Sequence, residues 1–209
     1  MTPEAFAARH PRLWRLSSVG SLEGIRRHGL LCARSLAARA GHDLADAPRP
    51  EALALRLPCG APVRITDNSP LSAAKLARVL DDGLTVADWM AMLNARVFFW
   101  PERSLGTGNR DARARLGYRS EWHVFDTLRL LAPVWDRAEI APFNTGATIH
   151  QPPRRGRASF APLGGLDYET WRRTRRAQGA VKGLDTVKEV TVRGDLPHAA
   201  DALTEIARA

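Results

Sequence analysis

Apolar and polar residues alternate along Leu13-Trp14-Arg15-Leu16-Ser17, the period-two pattern of a strand with two unlike faces. The period then changes. Leu22 and Ile25 lie three apart, Ser18 or Ser21 can cap the helix they define, and Gly29 suits its C-terminal end. Ser72 opens a second helical stretch through Leu76, Val79 and Leu80 that closes at Gly83. Thr85 and Asp88 have the spacing of a capping box, and Trp89, Met92 and Leu93 follow at i, i+3, i+4, which predicts that all three face the core. The run Arg96-Val97-Phe98-Phe99-Trp100 is aromatic and β-branched, reads as a strand, and stops at Pro101. Val97 and Phe99 share one face of it; Arg96, Phe98 and Trp100 share the other.

The remaining elements are read the same way. Residues 63–65 have the composition of a short strand, a short helix is expected from Asn109, and strands are expected over 121–130 and 137–141. Residues 41–62 contain four prolines and two glycines and read as loop with at most one short helix. Asn144-Thr145-Gly146-Ala147-Thr148 is a polar turn-rich loop, and 151–166 is expected to be a mobile connection. Asp167 is placed to cap a helix carrying Trp171; 187–193 reads as a strand and 199–207 as a terminal helix. Strands and helices intersperse too irregularly for βαβ units, so the expectation is an α+β fold in one domain over residues 1–209.

One position breaks the pattern. Val187-Lys188-Glu189-Val190-Thr191-Val192 puts a carboxylate in the middle of an apolar strand, where it costs stability unless it has a partner or a task. Glu189 is therefore the first candidate for chemistry. The alternative is a pairing with an arginine on an exposed sheet face. Arg96 opens a strand of bulky apolar residues and needs either a carboxylate partner or a ligand.

Composition narrows the choice. The apolar fraction of 44% and charged fraction of 25% are those of a globular protein. No run is long enough to span a membrane, and Met1–His10 lacks the apolar stretch of a signal peptide, which places the chain in the cytoplasm and away from membranes. Cys32 and Cys59 form no metal or redox motif, and no histidine pair has ligand spacing, so no metal is expected. Neither a Gly-x-Gly-x-x-Gly nor a Walker loop is present, which disfavours Rossmann dinucleotide binding and P-loop chemistry. The net charge of +9 suits an anionic partner. Lysine occurs only at Lys75, Lys182 and Lys188, an arginine bias that a GC-rich genome would also produce.

The segment from Trp14 to Leu31, with its strand, small polar pair, helix and His28-Gly29-Leu30-Leu31, resembles the opening of the DarT-like DNA ADP-ribosyltransferase toxins. A bacterial family of uncharacterised proteins of similar length shares that opening. That family is also similar over Leu93–Trp100, Asn144–Thr148, and Val187–Val192 followed by Leu196-Pro197. The resemblance implies two small, split antiparallel sheets with surrounding helices, clasping NAD as substrate. It implies Glu189 as the catalytic acid, with Arg96 beside it. Arg15, Ser17, Arg34, Phe98 and Trp100 take the cofactor-binding positions. Arg15 stands where the DarT-like proteins have histidine, a departure that bears on cofactor placement.

Trp171-Arg172-Arg173-Thr174-Arg175-Arg176 sets Arg172, Arg175 and Arg176 on one helical face, with Arg154, Arg155 and Arg157 upstream. This is a candidate nucleic-acid surface or an ordinary solvated one. The expected function is an NAD-dependent ADP-ribosyltransferase acting on DNA or RNA, a toxin or phage-defence effector with an antitoxin-like partner. The alternative is a catalytically degenerate nucleotide- or nucleic-acid-binding module of the same fold. A third, lesser option is a tRNA 2′-phosphotransferase-like reaction.

Overall fold

The computed structural model describes residues 1–149, 151–177 and 186–209. Helix α1 (Pro3–Arg9) is started by the Thr2 hydroxyl, which accepts from the Ala5 N–H. Strand β1 (Arg12–Ser18) follows, then α2 (Leu22–His28), α3 (Ala33–Arg39), and the hairpin of β2 (Leu53–Arg56) and β3 (Pro62–Ile65). Next come α4 (Ala73–Ala77), α5 (Val86–Asn94), β4 (Arg96–Phe99), α6 (Thr107–Arg115), β5 (Ser120–Asp126) and α7 (Thr127–Leu131). The chain continues through β6 (Ala138–Ala141), β7 (Ala161–Pro162), α8 (Tyr168–Ala177), β8 (Glu189–Arg193) and β9 (Leu203–Arg208).

The architecture is α+β, with antiparallel sheets and helices packed around them. One sheet has the order β1-β5-β9 and the other β4-β8-β6-β7. They meet at one point, where Trp14 and Trp100 exchange both backbone hydrogen bonds at 2.8 Å. Beyond that bridge β1 and β4 separate.

The β4-β8-β6 register divides that sheet into two faces. Val97, Phe99, Val190, Val192, Ala138 and Ile140 lie on one and join Phe6, Leu13 and Phe125 in the main core. The opposite face carries Arg96, Phe98, Glu189, Thr191 and Glu139, and it is roofed by a second cluster built on Trp89, Met90, Leu93 and Phe160. The capping box that starts α5 is present, with the Thr85 hydroxyl accepting from the Asp88 N–H and Asp88 accepting from the Thr85 N–H. Within α5, Trp89 and Leu93 are buried as expected, but Met90 is fully buried and Met92 only partly so. Gly29 ends α2 at φ 73°, and a Cβ there would lie 2.3 Å from the Leu196 carbonyl oxygen, so the backbone approach excludes any side chain.

Four local expectations are corrected. The C-terminal segment is a short 3-10 turn followed by strand β9, because β5 has a free edge and its backbone groups need partners there. The strand expected over 121–130 ends at Asp126, whose carboxylate accepts from the Arg129 N–H and turns the chain into α7. The 41–62 stretch holds β2 rather than a helix. The 151–166 connection is tied down: Arg155 exchanges backbone bonds with the Val79–Asp81 segment and is 1% exposed.

Candidate active site

Glu189 opens β8 on the roofed face and is 5% exposed. Its Oε2 accepts from the Thr145 N–H at 3.0 Å and the Thr145 hydroxyl at 2.6 Å. Thr145 belongs to the polar 144–148 loop, which lies under Arg155. The Arg155 guanidinium donates to the Thr145 and Ala147 carbonyl oxygens at 3.3 and 3.0 Å, and is sandwiched by the Trp89 and Phe143 rings. No cation forms a salt bridge with Glu189 among the described residues. Burial pushes its proton affinity up, the Thr145 bonds and the nearby Arg155 charge pull it down, and the net result is a pKa of about 7. Arg155 is itself lowered to about 10 by the same burial, with Glu189 opposing.

Arg96 has a different fate. Its Nε and Nη2 donate to Glu139 Oε2 and Oε1 at 2.8 and 3.2 Å, a fork-to-fork pair. Its Nη1 donates to the Met92 carbonyl, and its plane lies 4.1 Å from the Phe160 ring centroid. Glu139 also accepts from the Thr191 hydroxyl and sits 3.4 Å from Arg193 Nε. Arg96 is thus a buried cation paired with Glu139, each of its three nitrogens donating to protein.

Arg15 reaches from β1 to donate to the Phe98 carbonyl oxygen at 2.9 Å, just where β1 and β4 part. It forms no ion pair among the described residues. Burial, and secondarily the Arg113 charge, lower its pKa to about 10. Trp100 lies at the same junction. It follows Phe99, the last residue of β4 to pair with β8, whose partner Val190 is the residue after Glu189. Its ring packs edge-on against Trp122, beneath Gly106. Ser17 is buried on the Arg15 face of β1. Phe98 packs into the roof cluster. The structure therefore brings Arg15, Phe98 and Trp100 to the β1–β4 junction, with Ser17 two residues along β1, while Glu189 lies on the neighbouring strand β8 against Thr145.

Arg34 is elsewhere, pairing with Asp46 at 2.8 Å on the surface. On α8, Arg172 lies 3.6 Å from Glu169 and Arg175 donates to the Ala158 carbonyl oxygen. The Arg176 side chain lies outside the description. Upstream, Arg154 pairs with Asp81 and Arg155 is the buried plug over the 144–148 loop.

Sequence reasoning missed the roles of four residues that shape this region. Thr145, Arg155 and Glu139 act across 44, 34 and 43 positions, and no local pattern announces such partners. The fourth is His123, the cross-strand neighbour of Arg15, with no exposed surface. Its Nε2 is 3.0 Å from Glu121 Oε1, its Nδ1 has no hydrogen-bond partner, and burial lowers its pKa. A histidine inside an otherwise apolar Trp122–Phe125 run is the signal that could have found it. Among the described residues no group of His, Cys, Asp and Glu could hold a metal ion, and no helix is long and apolar enough to cross a membrane.

These features define an α+β protein with two bridged antiparallel sheets and, on the roofed face of one of them, a buried carboxylate with a pKa of about 7. Residues 11–203 match the model of a family of unknown function, DUF7002, and the chain belongs to that family. No curated protein and no solved structure matches the chain.

Proposed function

We propose that the protein is an NAD-dependent ADP-ribosyltransferase whose acceptor is a nucleic acid. The observation that carries this reading is Glu189: a buried carboxylate with neutral donors only, a pKa of about 7, and a place at the start of the strand that pairs with β4. Perturbed acids of this kind collect at functional sites because folding alone does not favour them. The resemblance at both ends of the chain supplies the reaction class.

The reaction breaks the bond between ribose C1 and the nicotinamide nitrogen. The bonding pair leaves with nicotinamide, the sugar passes through an oxocarbenium-like state, and a nucleophile of the acceptor then bonds C1 and loses its proton. Glu189 stabilises the developing positive charge, and in a dry site such stabilisation is large. The Thr145 hydroxyl and N–H now occupy Glu189 Oε2, so ribose hydroxyls would bind by taking the place of these donors. Arg15 is the cation at the junction suited to the diphosphate. Arg96, closed on Glu139, holds the sheet face rigid and touches no ligand.

Incubation with NAD and single-stranded oligonucleotides tests the reading. The expected result is nicotinamide release and a mass gain of one ADP-ribose on the oligonucleotide, both lost in Glu189→Gln. Intact NAD and unmodified oligonucleotide across DNA and RNA substrates would overturn it.

The sealing of Glu189 by Thr145 and Arg155 favours a second reading, a degenerate nucleotide- or nucleic-acid-binding module of the same fold. It requires salt-sensitive binding without NAD turnover, unaffected by Glu189→Gln.

A further inference from the structure

Arg15 and Arg113 are enclosed guanidiniums without a carboxylate contact among the described residues. Arg113, 9% exposed on α6, donates from Nε to Ser120 Oγ at 2.9 Å and from Nη2 to Ser18 Oγ at 3.2 Å, both neutral acceptors. Ser18 and Ser120 face each other across the β1–β5 ladder, so Arg113 clasps the end of that ladder, three residues along β1 from Arg15. Outside it, Arg64 of β3 lays its guanidinium on the Tyr118 ring at 4.4 Å, and the Tyr118 N–H donates to the Arg113 carbonyl oxygen. Arg115 and Arg119 are exposed on the same segment and form no ion pair among the described residues.

The charges are set against one another. After burial, Arg64 is the main influence lowering the Arg113 pKa, and Arg113 in turn lowers Arg15; Asp67 is the carboxylate that opposes this at Arg113. Like charges gathered in a half-buried row are unfavourable unless an anion joins them. The surface of α8 and the segment upstream differs, because Arg172 of α8 lies against Glu169 and Arg154 upstream pairs with Asp81.

We propose that the β3–α6–β5 face, with Arg64, Arg115 and Arg119 outside and Arg113 within, binds the phosphodiester backbone of a single-stranded nucleic acid and leads it toward Arg15 at the sheet junction. The guanidinium fork matches phosphate oxygens. The Arg64–Tyr118 stack is a platform for a base face, which a duplex hides and an acidic peptide lacks. Leu116, 55% exposed beside Tyr118, gives further apolar ground. The direction of the strand rests on the transferase reading. The test uses no NAD, so binding and chemistry fail separately.

Fluorescence anisotropy with a labelled single-stranded oligonucleotide reads the proposal. Arg64→Glu/Arg119→Glu should weaken binding by about tenfold or more and reduce the slope of log K against log salt by about 1.4, two phosphate contacts on a single strand. Arg172→Glu/Arg175→Glu should change affinity by less than about twofold, since loss of unspecific charge alone carries little. Polyglutamate should compete poorly. Near-UV circular dichroism checks the fold, and Arg115→Glu alone asks the same question if the double variant unfolds. Equal losses from the two double variants, a larger loss from α8, effective competition by polyglutamate, or no binding by the wild type would each overturn the assignment.

Discussion

Glu139 and Glu189 lie on the same face of the same sheet, on neighbouring strands, yet they live in opposite electrostatic worlds. Glu139 faces Thr191 across the ladder and receives the Arg96 fork, the Thr191 hydroxyl and the Arg193 charge. Glu189, two residues along β8, receives the Thr145 hydroxyl and N–H and feels the nearby Arg155 charge, with no ion pair among the described residues. Both are about equally buried, at 5% exposure. Burial therefore does not distinguish them; the supply of positive charge does. The sheet neutralises one acid completely and leaves its neighbour able to hold a proton near pH 7. Under the transferase reading, one carboxylate holds the framework and the other is kept for chemistry.

The sharpest way to break the comparison is to remove Glu139. Glu139→Ala leaves the buried Arg96 without its counter-ion and should cost about 3–5 kcal/mol in urea unfolding. Replacing both members of the pair, as Arg96→Met with Glu139→Leu, should recover most of that loss, because a packed apolar pair avoids the desolvation of two ions. A loss under about 1 kcal/mol for Glu139→Ala would mean that the pair does not hold the sheet face.

Glu189→Gln should act in the other direction. The carboxyl pKa rises from 4.5 to about 7 on folding, so the folded state keeps a proton that the unfolded chain gives up. Stability contributed by this group is full below pH 4.5, falls as the pH climbs to about 7, and is level above that, a decline on the order of 3 kcal/mol. The glutamine variant should therefore match the wild type near pH 4 and exceed it by up to about 3 kcal/mol at pH 8. Under the transferase reading the same change lowers turnover by about 10²–10³-fold, giving a protein that is more stable and inactive. Wild-type turnover should rise with one ionisation centred near pH 7. A variant less stable than the wild type at pH 8 would assign Glu189 to the framework, alongside Glu139.

How much of this was legible in the sequence follows from the range of the interactions. Alternation exposed β1, β4 and β8, and the Thr85–Asp88 box exposed the start of α5, since each is a local signal. An acid inside an apolar strand singled out Glu189, also locally. The stretch 199–207 read as a terminal helix, but an open edge on β5 overrode that reading and made 203–208 strand β9. The meaning of Arg96 was beyond local reading, because ion pair or ligand contact depends on whether Glu139, 43 positions away, returns to the same face. The plug at Arg155 was hidden for the same reason: a Pro- and Gly-rich stretch looks mobile until a buried guanidinium fastens it. The acids beside Arg172 of α8 and Arg154 upstream, Glu169 and Asp81, decide how far that surface is already neutralised, and Asp81 reaches it from 73 positions away.

The finest probe of the comparison is Thr145→Val, which keeps the shape of the loop and deletes one donor. The 2.6 Å hydroxyl bond to Glu189 goes, while the N–H bond at 3.0 Å remains. That hydroxyl favours the ionised carboxylate, so its loss should move the pH midpoint of turnover above that of the wild type and slow the reaction at pH 7 more than at pH 9. Stability should fall by about 1–2 kcal/mol at pH 8, where the charged form loses its donor, and by less at pH 5, where the folded carboxyl is protonated. The direction of the midpoint is the discriminating quantity. Removing a donor from a merely structural carboxylate changes stability alone; removing one from the group that titrates in the reaction moves the pH profile as well. An unmoved profile with lowered stability would place the titrating group elsewhere, with His123 the next residue to substitute.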